Sequence, residues 1–275
     1  MRQAPRPHGF TLIELVMVIV VMGVIGATLA AFMRKPVDAY FDTARRAALT
    51  DVADTAVRRI SRDIGGALPN SIRNPSSSCI EFIPTRTGGR YRAEPDALVA
   101  GNQANAILDF AAADTSFNML ANNSLLPPDQ RVRANDLVVV YNLGIAGADA
   151  YAGDNTAVVS AVTSGAESTI TMAAKQFPLA SPVGRFHVVP GDEKIVSFVC
   201  NAGRLLRSSN HAYNNSCPTS GATVAVLAQG VASCSFVYNT SDLQRNGLVQ
   251  MTMALTDSSG ESVSLYHEVH VGNTP

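Results

Sequence analysis

The chain has 275 residues, 21 basic side chains against 22 acidic ones, five histidines, four cysteines and no tryptophan. An apolar fraction of 47% excludes a disordered chain, and a formal charge of −1 excludes nucleic-acid binding driven by overall charge. With only 16% charged residues and abundant Ala, Val, Ser, Thr and Asn, the composition reads as a β-rich exported protein.

The first residues, Met1 to Gly9, are polar, with Arg2 and Arg6 and no carboxylate. From Phe10 to Met33 the chain is apolar apart from Thr11, Glu14 and Thr28. The 19 uncharged residues Leu15 to Met33 suffice to cross a bilayer as a helix rising about 1.5 Å per residue. A cleaved secretory signal has a shorter apolar region followed by a small-residue site. Here the run passes through Arg34 and Lys35 into a further helical pattern, which favours a retained anchor. Arg2 and Arg6 are matched by Arg34 and Lys35, so the positive-inside rule gives no orientation. Glu14 stands out, because a carboxylate near the bilayer interior requires a partner or a function. A cut after Gly9 would place a positive amine on Phe10, which the Glu14 of a neighbouring copy can meet in a low-dielectric setting.

Beyond Pro36, the residues Val37, Tyr40, Ala44, Ala48, Val52, Ala56, Ile60 and Ile64 recur at helical spacing with charged residues between them. This predicts an amphipathic helix, bent at Pro36 and stopped by Gly65-Gly66 and Pro69, with the apolar stripe facing a core. Residues 69–78 read as a linker. Strands are predicted at 79–83, 137–143, 157–163, 169–173, 185–189, 195–200 and 204–207, with Thr87-Gly88-Gly89 following the first and Pro190-Gly191-Asp192 as a turn. The stretch 98–128 reads as an insertion of loop and short helix. At the C-terminal end Val249, Met251, Met253 and Leu255 share one face. Asp257 to Gly260 turns the chain, and Val263, Leu265, His267, Val269 and Val271 continue that face.

The four cysteines, Cys79, Cys200, Cys217 and Cys234, allow three pairings, which the sequence leaves open. A Cys200–Cys217 bridge would close a short polar loop containing Asn210, His211, Asn214 and Asn215, and stabilise by about 3 kcal/mol. No C-x-x-C spacing is present, which argues against a zinc ribbon or a thioredoxin-like site. His267 and His270 are three apart on a predicted strand and point to opposite faces, a poor metal pair; His267 reads as a hydrogen-bonded core residue and His270 as a surface one. Asp149, Asp154 and Asn155 carry oxygen donors in a Gly- and Ala-rich loop but lack the spacing of a calcium loop. No nucleophile elbow, P-loop or dinucleotide fingerprint appears, so the expectation is a non-enzyme without cofactor or metal.

The run His8-Gly9-Phe10-Thr11-Leu12-Ile13-Glu14-Leu15 resembles the prepilin motif of type IV pilins and type II secretion pseudopilins. The resemblance implies cleavage after Gly9 by prepilin peptidase, N-methylation of Phe10 and a role for Glu14 in assembly. It also implies an α+β fold, with a long N-terminal helix packed on an antiparallel β-sheet head. The domains expected are a leader over 1–9, a transmembrane and assembly helix over 10–33, the amphipathic second half over 34–66, a linker over 67–78 and a β-rich head over 79–275. Implied partners are other pilin subunits, the peptidase and the inner-membrane assembly platform. The implied location is the inner membrane, N-terminus cytoplasmic and head periplasmic, then the pilus. Segments 36–40, 58–64, 67–71 and 244–249 further resemble a branch of minor pilins from mannose-sensitive haemagglutinin (MSHA) pili, implying a low-abundance subunit that initiates or caps assembly. The rival functions are a type II secretion minor pseudopilin and a pilus-borne adhesin contacting ligands through the loop 208–216. The family's tip-most secretion pseudopilin looks to have dispensed with the equivalent Glu; this chain keeps it.

Overall fold

One helix, α1 (Leu12–Gly65), runs through 54 residues with Pro36 inside it. The loss of one backbone donor at Pro36 does not end it, because its neighbours Ala31 to Val37 are flanked by two strongly helical halves. It stops where Gly66 caps it, the Gly66 N–H donating to the carbonyls of Arg62 and Asp63. The computed structural model describes residues 9–95, 106–209, 217–218, 223–238 and 246–275 of the chain.

The strands among these residues are β1 (Arg73–Ser76), β2 (Cys79–Phe82), β3 (Thr87–Arg90), β4 (Asp114–Met119), β5 (Leu137–Val140), β6 (Thr156–Thr163), β7 (Ser168–Lys175), β8 (Arg185–Val189), β9 (Val196–Asn201), β10 (Arg204–Ser209), β11 (Thr223–Gln229), β12 (Val231–Tyr238), β13 (Asn246–Thr256) and β14 (Ser262–Gly272). They form three antiparallel sheets, ordered β1-β2-β9-β10-β11, β12-β13-β14 and β3-β8-β5-β6-β7-β4. The architecture is α+β and type IV pilin-like, a long N-terminal helix packed on antiparallel sheets.

The main core lies between the helix and the first two sheets. Ala53, Ala56, Val57, Ile60 and Ile64 of α1 meet Phe82, Phe198, Leu205, Phe236, Met251, Met253 and Leu255. The alternation read at the C-terminal end holds: Val249, Met251, Met253 and Leu255 are all buried, and β14 pairs with β13 along its whole length. A second core, with Phe117, Phe186, Val138 and Ile170, belongs to the six-stranded sheet.

Strands β2 and β9 are direct neighbours, Cys79 opposite Val199. Every strand of the six-stranded sheet lies between them in the chain. That sheet is therefore an insertion at the β2–β9 joint. The covered strand predicted at 137–143 is β5, buried throughout at Leu137–Val140 and flanked by β8 and β6. The turn at Pro190-Gly191-Asp192 carries the chain from β8 in one sheet to β9 in another. A Cβ on Gly191 would lie 2.1 Å from the Asn135 carbonyl oxygen, so only glycine lets that crossing close.

Thr87-Gly88-Gly89 forms the body of β3, an edge strand thin enough to lie on Phe186. Two readings are corrected. Within 98–128 the described residues include the expected short helix, a 3-10 turn at Asn123–Leu125, but also β4, completed by pairing with β7, which local periodicity could not anticipate. The segment 67–78 carries β1 and buries Ala67, Leu68, Ser71 and Ile72. There Asn142 donates to the Pro69 carbonyl at 2.7 Å, Asn70 donates to the carbonyls of Asn142 and Asn273, and Tyr151 donates to the Ser71 carbonyl. Arg73 stacks 3.2 Å above the Tyr151 ring and pairs with the buried Glu81 at 2.6 Å. This short segment binds helix, inserted sheet and C-terminus together. At Gly144, φ is +67° and a Cβ would meet the Asn70 carbonyl oxygen at 2.7 Å, which fixes glycine at the closest approach of the 141–155 loop to it.

Candidate functional site

Among the described residues, nothing outside the helix itself covers the N-terminal half of α1. Its most apolar 18-residue window is entirely unburied, and the helix is long and apolar enough to cross a membrane. Phe10 is 88% exposed, and Ile13, Met17, Ile19 and Met22 are exposed as well. In water such a surface would be strongly unfavourable, at about 25 cal/mol per Å². It therefore belongs in lipid or against other apolar helices.

Gly9 and Phe10 precede the helix, and Thr11 is its N-cap in extended backbone. A Cβ on Gly9 would meet nothing within 4 Å. The Gly9–Phe10 peptide is thus an open, non-helical bond just ahead of a rigid rod, a form a protease can engage. Glu14 closes the first turn. Its Oε2 accepts from the Thr11 N–H and from the Thr11 hydroxyl, each at 3.2 Å, while the Glu14 N–H donates to Thr11 Oγ1 at 3.3 Å. This reciprocal capping box satisfies helix-end donors and sets the carboxylate at the positive end of the helix dipole. The pattern Thr-x-x-Glu signals it in the sequence. Within one chain, then, Glu14 already has a polar partner one turn from the Gly9–Phe10 bond.

The second half of the helix divides differently from the expected stripe. Ala56, Ile60 and Ile64 are buried as expected, but Val37, Tyr40, Ala44, Ala48 and Val52 are exposed. Burial instead runs through the partly covered Leu49 and through Ala53, Ala56, Val57, Ile60 and Ile64. Among the described residues the head covers the helix from Leu49 onward, and the β13–β14 turn marks its edge. There Arg46 pairs with Glu261 at 2.5 Å and Arg45 lies 3.8 Å from Asp257. Upstream of that edge, Val37, Tyr40 (71% exposed) and Phe41 continue the apolar surface beyond the membrane-crossing length.

The cysteines pair as Cys79–Cys217 and Cys200–Cys234. The short-loop bridge Cys200–Cys217 is not formed, because β9 and β12 bring Cys200 and Cys234 to a Cα separation of 6.2 Å across two sheets. Both bridges fit an oxidising compartment. His267 Nε2 lies 2.9 Å from the Ser61 hydroxyl on α1, while His270 is exposed. Asp149 accepts from the Tyr151 N–H, Asp154 from the Gly147 N–H, and Asn155 donates to Asn142, so the three serve the loop's own folding. Asn210, His211, Asn214 and Asn215 of the polar loop, and residues 1–8, lie outside the described residues.

Residues 5–30 match the family described as the prokaryotic N-terminal methylation motif. No curated protein and no solved structure matches the chain. The match spans Gly9, Phe10, Thr11 and Glu14, so the open peptide, the capping box and the uncovered helix together form a type IV pilin-like prepilin signal.

Proposed function

We propose that the chain is a minor type IV pilin of the MSHA kind, cleaved after Gly9, methylated on Phe10 and assembled through Glu14. The observation that carries this reading is an apolar helix half that no described residue of its own head covers, bearing Glu14 one turn beyond an open Gly9–Phe10 bond. Residues 10–33 hold the precursor in the inner membrane, with residues 1–9 as the cytoplasmic leader and the head in the periplasm. The exposed run Val37, Tyr40, Ala44 and Ala48 extends the helix-contacting surface, and its alanines permit close approach of a neighbouring helix.

Support for a minor rather than a bulk subunit comes from the inserted six-stranded sheet, which enlarges the head and would crowd a densely repeated fibre. Glu14 needs an amine ahead of it, since a carboxylate without one in an apolar bundle is strongly unfavourable. The subunit therefore sits just behind a tip subunit, its Glu14 facing that neighbour's terminal amine.

Deleting the gene and scoring fibres against attachment tests the proposal. Loss of fibres supports it; normal fibres with lost attachment would indicate an adhesin, and lost protein secretion with intact pili a pseudopilin. Cross-linking that placed the chain alone at the apex would overturn the position assigned to it.

A further inference from the structure

The inserted sheet carries an unbalanced cluster of positive charge. In the β3–β8 pair, Arg90 stands directly opposite Arg185 and Gly88 opposite His187. The Tyr91 N–H donates to the Gly184 carbonyl, so 91 and 184 are a hydrogen-bonded pair. By alternation Arg90 and Arg185 form a non-hydrogen-bonded pair, the kind whose side chains stand closer. Like charges directly opposite each other destabilise a sheet. Among the described residues neither guanidinium has a carboxylate partner: Arg90 Nε donates to the Val183 carbonyl at 3.0 Å, and both arginines are exposed.

Their side chains share a face with Gly88 and His187. Because Gly88 has no side chain, the surface dips there into a notch of about 350 Å³ lined by Gly88, Gly89, Arg90, Arg185, Phe186 and His187. A Cβ on Gly88 would come within 3.6 Å of the His187 ring, so the imidazole forms the wall beside the gap. Two forked guanidinium groups and an imidazole border this solvent-open hollow.

We propose that this notch binds a sulfate or phosphate ester carried on an acidic carbohydrate, its oxygens bridging Arg90 and Arg185. The oxyanion chemistry follows from the notch itself; the carbohydrate as its source rests on the placement of the head outside the cytoplasm.

The test is calorimetric titration of the full-length protein in a non-ionic detergent with dextran sulfate, uncharged dextran and inorganic sulfate, at constant ionic strength. Dextran sulfate should bind and uncharged dextran should not. Arg185→Gln and Arg90→Gln should each weaken binding at least tenfold, and Gly88→Val should do so by filling the hollow. Arg204→Gln, which removes an exposed charge elsewhere, should leave binding unchanged. Intact disulfides and an unshifted melting temperature identify the variants as folded. No binding of dextran sulfate, equal loss in Arg204→Gln, or retained affinity in both notch-arginine variants would overturn the site. Binding of inorganic sulfate without the polymer would overturn the carbohydrate source. None of these outcomes depends on whether the protein assembles into a fibre.

Discussion

The Arg207 guanidinium on β10 donates through Nε to Asp63 in the last turns of α1 at 2.7 Å, and both side chains are nearly buried, at 13% and 12% exposure. Arg207 also donates to Glu193 at 2.6 Å, and Asp63 lies 3.1 Å from Arg59. The pair clamps the C-terminal end of the helix onto the first sheet, where the segment 67–78 begins.

Removing one member leaves a poorly solvated charge behind. Arg207→Ala should lower stability by about 2–3 kcal/mol, and Asp63→Asn by less because Glu193 still meets Arg207. Denaturant unfolding of both variants and of the double mutant should give a coupling above about 1 kcal/mol; additive effects would show that the pair acts independently.

The disulfides differ in what they close. Cys79–Cys217 spans 138 residues and encloses the whole inserted sheet, whereas Cys200–Cys234 spans 34. On loop entropy alone, their removal should lower stability by about 5 and about 4 kcal/mol respectively. Periplasmic material should show no free thiol before reduction, and peptide mapping should recover these two pairs. Recovery of a Cys200–Cys217 peptide would contradict the arrangement.

His187 makes stability depend on pH. Its burial, and next the charge of Arg185, hold the imidazole down at about 4 against an ordinary value of 6.5. Between those values the unfolded chain binds the extra proton, so stability is greatest above pH 6.5 and falls as pH falls toward 4. The loss reaches about 2 kcal/mol at pH 5. Urea unfolding at pH 7.5 and pH 5 should show that much more acid sensitivity in the wild type than in His187→Gln. Equal sensitivity would show that partial burial beside Arg185 does not hold the imidazole neutral in the folded protein.

At the membrane end, native material should begin at methylated Phe10, read by terminal-peptide mass, and a bulky substitution at Gly9 should leave precursor in the membrane. Glu14→Ala should weaken incorporation while cleavage and disulfide formation proceed. Thr11→Val is the discriminating companion. It removes the hydroxyl that accepts from the Glu14 N–H and donates to its carboxylate, but leaves the charge. Its effect should be confined to about 1 kcal/mol of helix-end stability. If Thr11→Val blocks incorporation as fully as Glu14→Ala, Glu14 acts through its own helix cap and not through a neighbour's amine.

Two parts of this protein are determined by sequence alone. The prepilin run from His8 to Leu15 and the uncharged stretch behind it need no tertiary context, because a membrane-crossing helix satisfies its own backbone and declares itself by composition. The alternation of β13 and β14 is equally local, since one face of a long hairpin is simply apolar. The covered side of the helix beyond Pro36 was settled by contact. Val52 and Ala53 lie about 100° apart on the helix, and both are apolar, but the head covers Ala53 and leaves Val52 41% exposed. The same holds for β3 and β4, whose Gly-rich and polar residues become strands only by pairing with β8 and β7. Cysteine pairing and the Arg90–Arg185 opposition join residues far apart in the chain, through a sheet inserted between two neighbouring strands. Local sequence carries no record of such neighbours, because register is set by long-range packing.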